Sequence, residues 1–130
     1  MRKEVNEFID DTNRGNDASL SYFRGKYRDQ VRYFGKLVPR QSVLNEKGIY
    51  FRKWPARNYF VQPGSVVVMC ETSSECTAEG ILAWEISGPI LNSRGSAAFS
   101  LHWILEDGIW KISSESTQPM ERKAFDVHGR

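Results

Sequence analysis

Asp107-Gly108 constrains this chain more than any other pair of residues. It separates two runs of alternating apolar and polar residues, Ser96–Glu106 and Ile109–Ser116, and Asp-Gly is a favoured occupant of a two-residue hairpin turn. So short a turn sets the pairing: Glu106 faces Ile109, Leu105 faces Trp110 and Trp103 faces Ile112. One face of the hairpin then carries Phe99, Leu101, Trp103, Leu105, Trp110 and Ile112, an apolar surface that needs a cover. The opposite face sets Ser100, His102 and Ile104 against Glu115, Ser113 and Lys111.

The cover is supplied by the first half of the chain. Val5, Phe8, Ile9 and Thr12 fall at i, i+3, i+4 and i+7, one stripe of an amphipathic helix that runs out near 13–15. Asn16 or Asp17 caps a second helix bearing Leu20, Phe23 and Tyr27, and a short strand is expected at about 31–37. Ser42 is the expected N-cap of a third helix, with Glu46 in its first turn and Leu44, Gly48, Phe51 and Trp54 on one face. Gly48 on that face reads as a point of close approach, and Pro55 ends the helix. Strands follow at about 59–62, 65–71, 75–87 and 96–106, before the last one at 109–116. Helices first and strands after give an α+β fold, with the helices on the concave face of a curved, mostly antiparallel sheet. At 130 residues, the chain is one domain, assigned to 1–118, with 119–130 as a tail that includes His128.

Composition excludes whole classes. Four Trp, five Tyr and seven Phe are incompatible with intrinsic disorder. No apolar run reaches the ~20 residues of a membrane span, and the polar, helix-periodic start is not a signal peptide. No Gly-x-Ser-x-Gly, phosphate loop or His-Glu-x-x-His is present, and two His with two Cys at these spacings make no zinc site, so no cofactor or metal is expected.

Cys70 and Cys76 flank the polar loop 71–75 and face each other across a hairpin, where Cβ atoms lie ~4.5–5.5 Å apart, close to disulfide geometry. A disulfide there implies a periplasmic or secreted protein whose export signal lies outside this sequence; two reduced cysteines flanking a loop would be compatible with the cytoplasm. Between Arg24 and Arg57, ten Lys/Arg stand against Asp29 and Glu46, interleaved with Tyr22, Tyr27, Tyr33, Trp54 and Tyr59. Such a segment can bind an anionic polymer. The favoured reading is that the basic stems cover helix edges with their heads in water, so nucleic acid is disfavoured as a partner.

Particular segments carry a family resemblance. Val31-Arg-Tyr-Phe-Gly-Lys36 with Val38-Pro-Arg40, then Phe51-Arg-Lys-Trp-Pro-Ala-Arg-Asn-Tyr59, then Val67-Val-Met-Cys70 with Cys76, Gly80 and Trp84, resemble the nuclear-transport-factor-2-like superfamily over residues 3–118. The Trp-Pro-x-Arg-x-Tyr segment and Cys-flanked hairpin are similar to uncharacterised proteobacterial members. The resemblance implies a cone-shaped fold. Its functions range from ketosteroid isomerases, dehydratases and polyketide cyclases to transport factors and periplasmic parts of secretion systems. The enzymes place an Asp or His base and a Tyr/Asp oxyanion pair inside the cone. The matching interior positions here, Phe99, Leu101, Trp103, Trp110 and Ile112, offer no base.

The expected function is therefore a non-catalytic domain binding a small apolar ligand or a protein partner, with Tyr27, Tyr33, Trp54, Arg57, Tyr59 and Trp103 as ligand-binding candidates. Trp54 and Arg57 also have a structural reading, the guanidinium stacked or bonded to helix-end carbonyls. The alternative is an isomerase- or dehydratase-like enzyme drawing on His102, Glu115, Tyr27 or Tyr33. It requires two of them converging in an enclosed cavity, whereas the hairpin register puts His102 and Glu115 on the open outer face. That outer face, with Ile104, Ile109, Val67, Met69 and Ile81 among polar residues, suits a modest homodimer interface with His102 near the two-fold axis.

Overall fold

Three helices form where apolar spacing asks for them. In the computed structural model, which describes residues 1–126, they are α1 (Arg2–Thr12), α2 (Asn16–Lys26) and α3 (Arg40–Lys53). Val5, Phe8, Ile9 and Thr12 are all buried, as the stripe requires. The third helix starts at Arg40 behind Pro39 rather than at a Ser42 cap, so Glu46 lies beyond the first turn. Proline fixes its own φ near the helical value and positions the chain entering a helix. Trp54 closes α3 in extended-side backbone before Pro55.

The strands are β1 (Tyr27–Tyr33), β2 (Lys36–Pro39), β3 (Ala56–Val61), β4 (Val67–Thr72), β5 (Glu75–Ser87), β6 (Leu91–Glu106) and β7 (Ile109–Asp126). They form one seven-stranded sheet in the order β2-β1-β7-β6-β5-β3, with β4 also on β5. Among the described strands, only β1 and β7 run parallel. The single strand expected at 31–37 is thus a hairpin turning at Phe34-Gly35, and Tyr27 starts β1 instead of ending α2. The pairing of β6 with β7 continues past residue 118 to Leu91↔Asp126. His128 lies outside the described residues.

The helices cover one face of this sheet, and the core runs from Val5, Phe23 and Val43 to Leu101, Trp103 and Ile112. Gly48 is not the forced contact: a Cβ there would meet Leu20 and Arg52 at ordinary distances, 3.9 and 3.6 Å. Gly80 is, since a Cβ would come within 2.8 Å of the ring of Phe99, its cross-strand partner. Cys70 pairs with Cys76 across β4 and β5, and the two form a disulfide. No described helix is long and apolar enough to cross a membrane.

Candidate functional site

A cavity of about 400 Å³ opens between the helices and the sheet. Successive turns of α3 supply one wall with Lys47, Tyr50 and Phe51, its C-cap adds Trp54, and α1 adds Phe8, Ile9 and Thr12. Strands contribute every second residue, Leu82, Trp84 and Ile86 from β5 and Glu115, Thr117 and Pro119 from β7, because alternate side chains share a face.

Glu115 is the departure from the hairpin arithmetic. The pairs Leu105↔Trp110 and Trp103↔Ile112 hold as expected, but His102 then pairs with Ser114 and Leu101 with Glu115. Ser113 is an extra residue, a β-bulge that moves residues 114–119 to the opposite face. Glu115 therefore sits inside, buried, beside the face of Leu101. His102 stays outside, bonded through Nδ1 to the Ser113 hydroxyl and 3.0 Å from Glu75 through Nε2. The expectation that His102 and Glu115 share the outer face is corrected, and so is that of an interior without a carboxylate.

Glu115 forms the polar floor of the cavity. The Tyr27 hydroxyl donates to its Oε1, and the Lys47 ammonium lies 3.1 Å from its Oε2. The Lys47 side chain is 11% exposed. Its Nζ stands 4.6 Å from the centroid of Phe23 and within 6 Å of Phe8, Tyr27 and Tyr33, a cation–π setting. Burial, then the Glu115 charge, pushes the Tyr27 phenol well above its ordinary value, and the same two causes raise Tyr33. Tyr59 is raised by burial and by Tyr50, whose hydroxyl shares a hydrogen bond with its own. These phenols remain protonated donors. The floor thus offers a carboxylate acceptor beside an ammonium and phenolic donors, under an apolar body of Phe8, Ile9, Leu82 and Ile86.

The ligand-binding candidates separate. Tyr33, Trp54 and Tyr59 line the cavity. Tyr27 stands behind Glu115 as its hydrogen-bond partner. Trp103 is fully enclosed in the core and does not line the cavity. Arg57 turns to the helix ends instead. It donates to the carbonyls of Thr12, Arg14 and Trp54 and to Asn16 and Ser19, with its guanidinium 3.9 Å above Phe51. Arg57 ties the α1–α2 junction to the end of α3, the structural alternative read from the sequence. Of the basic segment, Lys26, Arg28, Arg40 and Lys47 each pair with a carboxylate.

Lys47 was hidden among ten bases, although a signal exists: Leu44, Lys47, Phe51 and Trp54 follow at +3, +4 and +3, a cation on an apolar stripe. Glu115 had no such signal.

No family model and no curated protein matches the sequence. Solved structures do match in fold. The Kfla4162 protein of Kribbella flavida superposes with a TM-score of 0.72 at 16% identity, over 94% of this chain and 92% of that one. A nuclear-transport-factor-2-like superfamily protein from Salmonella enterica gives 0.72 at 8% identity, covering 90% and 86%. A protein from Novosphingobium aromaticivorans, provisionally named a scytalone dehydratase, gives 0.75 at 9% identity over 99% and 89%. A similar protein from Cytophaga hutchinsonii also bears the family name. Three helices on a curved, mostly antiparallel sheet, closed around a cavity with a polar floor, are the nuclear-transport-factor-2-like fold.

Proposed function

We propose that this protein binds a small, mostly apolar ligand in the cone, outside the cytoplasm. The observation that carries the reading is the cavity of about 400 Å³, within the roughly 300–1,000 Å³ of small-molecule sites and similarly built, apolar walls around a few convergent polar groups. The Cys70–Cys76 disulfide supports an oxidising compartment. Native mass spectrometry of the protein from a periplasmic extract tests both points. A retained ligand mass and the loss of two hydrogens at the cysteines are expected. A ligand-free protein that also fails to bind apolar probes would overturn the binding reading.

One observation favours a second reading, an isomerase- or dehydratase-like enzyme: Glu115 and Tyr27 meet at the cavity floor with Lys47. Glu115 would exchange a proton with the ligand while phenols hold its oxygen. Glu115→Gln would then stop turnover while sparing ligand binding. Equal loss of both, or of neither, would return the site to simple binding. For the outer face we keep the homodimer as a proposal. Val67, Met69 and Ile109 are exposed there, and Met69→Arg is expected to leave a monomer in sedimentation if a second copy covers them.

A further inference from the structure

The β1–β2 hairpin turns on Phe34 and Gly35, with Tyr33 paired to Lys36. Their φ angles are 50° and 84°, close to the 50° and 78° of Asp107 and Gly108 at the β6–β7 turn. Both are two-residue turns with left-handed central residues, which Asn, Asp and Gly occupy readily. Asp107 follows that rule and Phe34 does not. A bulky ring is disfavoured in left-handed backbone, and Phe34 is also 50% exposed. Neither local conformation nor burial accounts for an aromatic residue at this tip.

Its position does. Phe34 lines the mouth of the cavity and also borders the groove on the other side of β7. Its ring packs edge-on against Tyr33, centroids 4.7 Å apart, and Tyr33 is itself a cavity wall. The Phe34 N–H donates to the carbonyl of Glu115 at 2.9 Å, so the tip hangs from the residue whose carboxylate forms the floor. The last register pairs between β1 and β7 are Arg32↔Ser114 and Tyr33↔Glu115. Backbone strain kept at the rim of a binding cavity is a mark of function rather than of stability.

We infer that Phe34 is the gate of the cone: its ring closes over an apolar ligand and sets how fast that ligand leaves. The inference rests on the cavity-binding reading and adds a residue that turn chemistry alone would replace. The test uses N-phenyl-1-naphthylamine, an uncharged fluorescent apolar probe, with dissociation followed by stopped flow into a cyclodextrin trap. Ala97→Phe, which fills the cavity wall, is expected to abolish the signal and so place the probe in the cone. Phe34→Asn, suited to the turn, should melt no lower than wild type yet release the probe about tenfold faster. Phe34→Gly should repeat this result, and Phe34→Tyr, which keeps the ring, should behave as wild type. If wild type binds, Ala97→Phe does not, and Phe34→Asn and Phe34→Gly release the probe at the wild-type rate, the gate is overturned and the cavity reading stands. A wild-type protein that binds no probe overturns both. A Phe34→Gly variant that loses its fold instead marks the ring as structural and also overturns the gate.

Discussion

Arg57, buried, and Lys47, mostly buried, are both cations lying over aromatic rings, and they do opposite things. Arg57 spends its guanidinium on neutral acceptors, three backbone carbonyls and two side-chain oxygens, at the junction of all three helices. Lys47 meets one carboxylate, Glu115, on the wall of a cavity. A cation surrounded by main-chain acceptors holds a fold together, because helix-end carbonyls need donors wherever the helix is placed. A cation balanced by a single acid beside an open space leaves hydrogen-bonding capacity for a ligand.

The largest effect should come from breaking the first arrangement. Arg57→Met strands the carbonyls of Thr12, Arg14 and Trp54 and is expected to cost about 4 kcal/mol of unfolding free energy, measured by urea titration. Arg57→Lys should recover little of it, since three donors on one nitrogen cannot span the five acceptors that the planar guanidinium reaches. A loss below about 1 kcal/mol would deny Arg57 its tie between the helices. Lys47→Met should come next, at about 3 kcal/mol, because it leaves Glu115 buried without its cation. The two sites are distinguished by coupling: adding Glu115→Gln to Lys47→Met should restore all but about 1 kcal/mol. Additive losses would mean that the pair does not interact.

The comparison extends to alkaline pH. Around the cavity and its floor, Tyr27, Tyr33 and Tyr59 all have phenols raised above the ordinary value, first by burial. A raised phenol keeps its proton in the folded chain where the unfolded chain gives it up. This stabilisation is full below about pH 10 and is lost as pH rises beyond it. Stability should therefore be flat up to about pH 9.5 and fall above 10, phenolate absorbance appearing together with unfolding. Phenols titrating near 10 in an intact fold would contradict their burial. The smallest effect lies on α3, next to Lys47: Gly48→Ala meets only ordinary contacts and should stabilise the helix by about 0.5–1 kcal/mol. Calorimetry would check it, and a destabilised variant would restore Gly48 as a close-approach point.

Much of the fold was readable because local rules agreed with one another. The stripe Val5, Phe8, Ile9, Thr12 is buried as spaced, and β5 spans Glu75–Ser87 as expected. The Asp107-Gly108 turn placed Leu105 against Trp110 and Cys70 opposed Cys76. Phe34-Gly35 carries no turn signal, since Phe is no turn former and the run Val31–Leu37 alternates well enough to look like one strand.

By itself the sequence determined the α+β order, the apolar face of the terminal hairpin and the meeting of the two cysteines across β4 and β5, all consequences of period and turn length. Only the tertiary structure decided on which face Glu115 lies. A β-bulge adds one residue to one strand, and because side chains alternate with a period of two, that residue reverses every face beyond it. Ser113 did this to Glu115. Nothing in residue spacing marks a bulge. It forms where packing is better served by a carboxylate facing Lys47 and Tyr27 than by an unbroken ladder, and those partners come from α3 and β1, 68 and 88 residues away along the chain.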